Sequence, residues 1–283
     1  MAKYTVLYNP KSNNNQAEAE TKKLDDILKG DVITYIDVLK ADDVQALVSG
    51  LTDDESLIIS GGDGTLNRFI NDVDCSAIRN NVYFWSCGTG NDFLNSVGEE
   101  KGKLVKLNDI IVSLPTVTVK GKTYKFINGV GFGIDGYCCE VGDQLREKSD
   151  KPINYTSIAI KGLLFHFKPV NATVTADGVT KNYKKVWLAP TMYGGYYGGG
   201  MLPTPGQKRG EGTVSTMVYY GKGKIKSLMV FPSIFKGEHV QHKDMVEVIR
   251  GKEVTVTFDR PCALQIDGET ILDVTEYSVK APL

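Results

Sequence analysis

The segment LIISGGDGTLNRF, residues 57–69, constrains the fold more than any other. A short apolar run breaks at Gly61, Gly62 and Gly64, with Asp63 set among the glycines and a helix-capable stretch behind them. An apolar run of this length that ends in glycine reads as a buried strand turning tightly into a helix. The pattern returns about 25 residues later, where VYFWS (82–86) runs into CGTGNDF. Upstream, KYTVLY (3–8) stops at Asn9-Pro10, KSNNNQ opens a helical stretch to about Lys29, VITYIDV (32–38) reads as a strand and ADDVQALVSGL as a helix. Strand and helix alternating in this way predict a doubly wound parallel α/β sheet covered on both faces.

After about Leu114 the texture changes. TVTVKGKTYKFING reads as a hairpin turning at Lys120-Gly121-Lys122, and β patterns follow: NATVTADGVTKNYKKVWLA, TVSTMVYY, KEVTVTFDR, CALQIDGE and TILDVTEYSV. Two helical stretches interrupt them, GYCCEVGDQLREKS leading into PINYTSIAIKGLLFHF, and KIKSLMVFPSIFKG. The expected organisation is an α/β domain over 1–115 and an antiparallel β domain over 116–274, with 275–283 free to return to the first. At 283 residues and 41% hydrophobic, the chain can bury two cores.

A formal charge of −1 gives no basic field for nucleic acid, so none is expected as a partner. Apolar runs of about 18 residues are absent, and Met1 leads straight into a strand, so the expectation is an unexported cytoplasmic protein with no transmembrane segment. Cys75, Cys87, Cys138, Cys139 and Cys262 form no CxxC pair and read as reduced thiols. His166, His239 and His242 lack metal-ligand spacing, and no GxSxG elbow accompanies the serines.

Glycines at a strand-to-helix turn leave backbone N–H groups open to a phosphate, which approaches without meeting a Cβ. An aspartate among them suits a divalent cation carried with a nucleotide. The segments around Asn9, Gly61 and Gly88 follow strands of one parallel sheet and are expected around one crevice. Gly131-Phe132-Gly133-Ile134-Asp135-Gly136 fits GxGxxG but lacks the acid about twenty residues on; it reads as a packed turn or as part of an acceptor pocket.

Taken in order, GGDGTLN, CGTGNDF, FINGVGFGIDG, GGGMLPTPGQKRGEG and QIDGE resemble the diacylglycerol kinase catalytic-domain family, in particular its soluble bacterial lipid kinases. The resemblance covers nearly the whole chain. It implies a nucleotide domain followed by a β-sandwich, with the active site in the interdomain cleft, and phosphorylation of a lipid hydroxyl, most simply diacylglycerol to phosphatidate, with ATP and Mg2+. It assigns Asn9, Pro10, Lys11, Ser12 and Asn13 to ATP, Gly61, Gly62, Asp63, Gly64, Thr65, Leu66 and Asn67 to the phosphates and magnesium, and Thr89 to the nucleotide. Asp37 stands near a threonine of relatives and suits ribose or adenine amines. Asp267 and Glu269 together match the catalytic-base region, where a hairpin turn is the alternative reading of Asp267-Gly268. Glu211 stands where relatives carry the aspartate of a structural magnesium site.

The partner implied is a lipid substrate at a membrane surface, met peripherally; an oligomer is compatible with the sequence. KIKSLMVFPSIFKG (224–237) and KGLLFHFKPV (161–170) carry apolar clusters flanked by lysines, the composition of an interfacial contact and equally of a helix covering a sheet. Tyr193, Tyr196 and Tyr197 either line an acyl entrance or pack. An NAD kinase-like enzyme and a nucleotide-sensing, non-catalytic relative are the rival readings.

Overall fold

The computed structural model describes residues 1–12, 16–88, 90–148 and 153–282. The chain divides into two compact units, 1–114 and 115–283.

In the first unit the elements run β1 (Lys3–Tyr8), α1 (Ala17–Thr21), α2 (Leu24–Ile27), β2 (Val32–Asp37), α3 (Val44–Ser49), β3 (Glu55–Gly61), α4 (Asp63–Asp72), β4 (Val82–Ser86), α5 (Asp92–Val97), β5 (Val105–Lys106) and α6 (Asn108–Ile111). The sheet has five strands in the order β2-β1-β3-β4-β5. Its first four strands are parallel and β5 pairs antiparallel to β4. Buried residues fall where the apolar runs predict: Val6, Leu57, Ile58, Ile59, Val82 and Phe84 are all at most 1% exposed. Strands buried on both faces read as continuous apolar runs, and that is how β3 appears in the sequence. The helix after the glycines begins at Asp63 itself, so Gly64 and Thr65 form its first turn.

The second unit opens with the hairpin β6 (Thr116–Val119) and β7 (Lys122–Lys125), then β8 (Gly129–Gly133), α7 (Ile134–Arg146), α8 (Tyr155–Lys161) and a π-helical turn over Gly162–His166. Strands β9 (Val170–Ala176), β10 (Val179–Val186), β11 (Leu188–Met192) and β12 (Val214–Tyr219) follow, then α9 (Lys224–Val230), β13 (Val246–Gly251), β14 (Glu253–Ile266) and β15 (Glu269–Lys280). Ten strands form one antiparallel sheet around β14. KEVTVTFDR and CALQI, read from sequence as two strands, are one strand of 14 residues, β14. Its first half pairs with β9 from Val254 to Phe258 and its last residues, Leu264–Ile266, pair with β8, while β15 follows it on the other side. Irregularities between Thr257 and Leu264 let the strand bend, which is how a single sheet folds over its own core.

Residues 275–280 stay in this unit. β15 pairs with β14 up to Lys280 opposite Glu253, and with β6 at Thr116–Thr118. Lys120-Gly121, Asp177-Gly178 and Asp267-Gly268 each have positive φ at both residues and close hairpins, the two-residue turn whose twist matches the flanking strands. Tyr193 and Tyr197 are buried, at 4% and 5% exposure, so both pack.

Candidate functional site

The parallel strands of the first unit end level with one another: Tyr8 stands opposite Asp37 and Ser60, and Gly61 opposite Ser86. The pairing runs one residue further, with Asn9 N on Ser60 O at 3.3 Å, Val38 N on Tyr8 O at 3.0 Å and Cys87 N on Gly61 O at 2.8 Å. Four turns therefore leave one carboxyl edge, where ligands of open α/β sheets bind. Asn9 Oδ1 accepts from Lys11 N at 3.0 Å and Asn9 O accepts from Ser12 N at 3.1 Å, closing the first turn around Pro10. Ser12 Oγ lies 3.1 Å from Thr65 Oγ1, which ties that turn to the start of α4. Asn13 and Thr89 lie outside the described residues.

The glycines of the two central turns are needed first by each other. A Cβ on Gly88 would lie 2.8 Å from Gly62 Cα, and one on Gly61 would overlap the Thr65 side chain. Backbone packs on backbone here, and the first turn of α4, from Asp63 to Thr65, opens at the same edge. Helix N-termini offer N–H groups with no intrahelical partner.

Asp63 reaches across to the second glycine segment. Its Oδ1 accepts from Phe93 N at 3.0 Å and its Oδ2 from Asp92 N at 3.2 Å, so the carboxylate caps α5. Ser86 Oγ donates to Asn91 Oδ1 at 2.8 Å, and Asn91 takes φ 53°, completing the turn. Asp92, itself only 7% exposed, is thereby held beside Asp63. Magnesium carried by a nucleotide takes one or two carboxylates with the phosphates, and Asp63 and Asp92 bring two carboxylates to this turn. The donor set therefore fits a nucleotide-borne ion. A cluster of three or more His, Cys, Asp or Glu that could hold a metal unaided is absent among the described residues.

Two of the residues expected at this edge have local partners of their own. Leu66 is fully buried and its N–H bonds to Gly62 O at 3.1 Å, so it is a core residue with nothing left to offer a ligand. Asp37 Oδ1 accepts from Leu39 N at 2.9 Å and its Oδ2 lies 3.5 Å from Lys40 Nζ; the carboxylate shapes the turn after β2, as Asx side chains do. Asn67 is 6% exposed, and its carbonyl accepts from Asn71 Nδ2 at 3.0 Å.

In the second unit the two candidate base carboxylates have unlike surroundings. Asp267, with φ 47°, accepts from Ile127 N at 2.6 Å, Asn128 N at 2.8 Å and Gly129 N at 2.9 Å. Glu269 is exposed, and no hydrogen bond or ion pair engages its carboxylate among the described residues. Asp267 thus anchors the β14–β15 turn onto the FING segment, and Glu269 is the carboxylate open to solvent. Arg209 reinforces the anchor by donating to Ile127 O and, at 2.7 Å, to Asn128 Oδ1.

Behind the same turn lies Asp135, 7% exposed. Burial raises its carboxyl to about 7, against the pull of hydrogen bonds, chiefly from Gly136 N, and of Gln265 nearby. Its Oδ2 and Gln265 Nε2 are both buried with no hydrogen bond, while Gln265 Oε1 accepts from Gly268 N at 2.8 Å. The GxGxxG glycines give room to these groups: a Cβ on Gly131 would overlap the Asp135 carboxylate and one on Gly136 the Ala263 carbonyl. Sequence reasoning assigned no site role to Asn128, Arg209 or Arg250, and took in Asp92, Asp135 and Gln265 only as members of their motifs. An acid inside the apolar run FGIDG was the available signal for Asp135.

Glu211 does not fit a metal. Arg250 Nη1 donates to Glu211 Oε2 at 3.1 Å and Arg250 Nη2 to Gly206 O at 2.9 Å, so a guanidinium spans the acid and a main-chain oxygen of its loop. Gln207 staples the loop from inside, donating to Lys208 O and Thr213 O and accepting from Ser215 Oγ at 2.6 Å.

A diacylglycerol kinase catalytic domain matches residues 3–120, and a YegS C-terminal NAD kinase beta sandwich-like domain matches residues 128–281. The chain is 24% identical to a diacylglycerol kinase of Mycobacterium tuberculosis over 268 residues, covering 90% of this chain and 85% of that protein. A crystal structure of a diacylglycerol kinase from Bacillus anthracis superposes with a TM-score of 0.62 at 17% identity, covering 98% of this chain and 93% of the other. Its likeness is one of fold, an α/β domain followed by an antiparallel sandwich-like domain. With both halves matched in order, the chain belongs to the diacylglycerol kinase catalytic-domain family, in the branch that carries the YegS C-terminal domain.

Proposed function

We propose that the protein phosphorylates the free hydroxyl of diacylglycerol with ATP, giving phosphatidate and ADP. Membership of the family carries lipid kinase chemistry and ATP use. The observation that supports the donor side best is the pair of glycine turns packed on each other and locked by Asp63 at the carboxyl edge of the first sheet. The Asn9–Ser12 turn and the first turn of α4 bind the nucleotide there, the N–H groups of Asp63, Gly64 and Thr65 facing phosphate oxygens. Asp63 and Asp92 are the carboxylates that would hold a magnesium ion, which when bound neutralises charge on the β- and γ-phosphates.

On the acceptor side, Glu269 takes the proton of the lipid hydroxyl as its oxygen bonds to the γ-phosphorus and the bond to the β–γ bridging oxygen breaks, releasing ADP. Asp267 holds the hairpin that carries Glu269 and is a positioning residue. Among the described residues no helix is long and apolar enough to cross a membrane; in this reading the enzyme meets its lipid from the surface, on the side where ATP is supplied.

The test is incubation with labelled ATP, magnesium and mixed micelles of diacylglycerol, with sphingosine and with NAD in parallel tubes. Label in phosphatidate is expected. Label in NAD, or in no acceptor, would refute the reading.

A further inference from the structure

After Met1, the most exposed large apolar side chains described are Met229 at 77%, Ile225 at 76% and Phe165 at 72%, followed by Val179 at 65% on a strand elsewhere. The first three sit on two touching elements. Lys224 Nζ, at the start of α9, donates to the Leu164 carbonyl in the π turn at 2.8 Å, and each of these residues adjoins one of the exposed ones. Ile225 and Met229 are four apart and share a face of α9, while Ser227 and Val230 turn inward. Beneath them Leu163, Phe167, Val230, Phe231 and Ile234 belong to one buried cluster, so the exposed side chains stand on a packed platform. Ile160 and Phe235, 39% and 40% exposed, extend the patch along both elements.

The charge around the patch is one-sided. Residues 153–171 and 222–237 contain six lysines and no acid, in a chain whose 33 basic residues are matched by 34 acidic ones. Asp244 reaches in to pair with Lys222 and Lys226, each at 2.9 Å. Among the described residues no carboxylate lies within ion-pair distance of Lys161, Lys168, Lys224 or Lys236. Apolar side chains exposed together mark a contact surface, and a lysine rim around them suits an anionic bilayer. A second copy of the chain meeting this patch isologously would set lysine against lysine.

We infer that Phe165, Ile225 and Met229, with the lysines around them, form the face by which the second unit docks on an anionic phospholipid surface. This deepens the lipid kinase reading by assigning the docking face, and it is tested without turnover. The intact protein is co-sedimented with phosphatidylcholine vesicles and with phosphatidylcholine–phosphatidylglycerol vesicles. Binding should favour the anionic vesicles, fall about fivefold for each of Lys161→Gln and Lys168→Gln, and fall about tenfold or more for each apolar residue changed to serine. The apolar variants should melt as the wild type does, because the altered side chains are exposed, and should phosphorylate a soluble short-chain diacylglycerol at the wild-type rate while losing rate on vesicles.

Equal binding to both vesicle types, or unaltered binding by the triple Phe165→Ser/Ile225→Ser/Met229→Ser variant, would overturn the inference. So would sedimentation velocity showing a wild-type dimer that the triple variant abolishes while vesicle binding persists. If no lipid is phosphorylated at all, the kinase reading fails and vesicle binding still decides this one.

Discussion

Replacing Asp267 by Asn and Glu269 by Gln separates an anchor from a base. The Asp267 carboxylate holds the backbone N–H groups of Ile127, Asn128 and Gly129 at 2.6–2.9 Å. Asparagine can keep Asn128 and Gly129 on one oxygen, but its NH2 then faces the Ile127 N–H donor to donor. A hydrogen bond to a charged acceptor contributes about 1.5–3 kcal/mol, and neutralising the acceptor weakens those that remain. With the turn partly open to water, the expected loss is about 3 kcal/mol. The φ of 47° adds no cost, since asparagine tolerates the left-handed region. For a domain of this size that loss lowers Tm by roughly 6–12 °C. Glu269 is exposed and makes no recorded hydrogen bond among the described residues, so Glu269→Gln should leave Tm within about 1 °C while kcat falls about 100- to 10,000-fold. Circular dichroism melts and the mixed-micelle assay at saturating ATP read the two effects separately. An Asp267→Asn protein that melts like the wild type but is inactive, beside an active Glu269→Gln protein, would reverse the assignment and refute the reasoning.

Three further perturbations follow from the same contacts. Arg250→Ala should cost about 1 kcal/mol, because the ion pair with Glu211 is half-exposed, and EDTA should leave the wild-type Tm unchanged; a chelator-induced fall in Tm would mean that a metal, not Arg250, holds the 203–212 loop. Asp63→Asn should raise KM for ATP and lower kcat with the fold retained, as seen by circular dichroism, because the α5 cap is weakened at the donor edge; unaltered kinetics would remove Asp63 from the donor site. Burial lifts the Asp135 carboxyl to about 7, so between pH 4 and 7 the folded chain keeps a proton that the unfolded chain has lost. Stability should therefore fall as pH rises through that window, by a few kcal/mol at most. In denaturant titrations at pH 5 and pH 8, Asp135→Asn should flatten that slope and gain relative to wild type at the higher pH; equal slopes in both proteins would refute it.

What the sequence made legible was local. Alternating strands and helices gave the parallel sheet to within a residue or two at most strands, because apolar runs and glycine breaks report burial and chain reversal directly. Turn chemistry was equally readable at Lys120-Gly121 and Asp267-Gly268. What escaped depends on chain segments far apart in sequence. Asp63 capping a helix 30 residues on, Asp267 bonding to N–H groups about 140 residues upstream and Arg250 spanning Gly206 and Glu211 leave no periodic trace. The glycines of GGDG were legible as a tight strand-to-helix turn, whereas their packing against Gly88 was not, since the partner backbone lies in the turn after the next strand. Leu66 was drawn into the motif by its neighbours, although its place is in the core.

The position of β15 sets an order of assembly. Its ladder joins Lys280 to Thr116, and the turn before it is pinned by Asp267 to residues 127–129. The first unit needs only residues 1–114, with parallel pairings between neighbouring segments. During synthesis the first unit can therefore close early, while the second stays open until β15 has emerged, because non-local pairing must first bear the entropy of closing a long loop. A ribosome-bound chain stalled before residue 267 would hold a folded parallel sheet and an unfinished, apolar second unit, the stretch of its life in which a chaperone has most to hold.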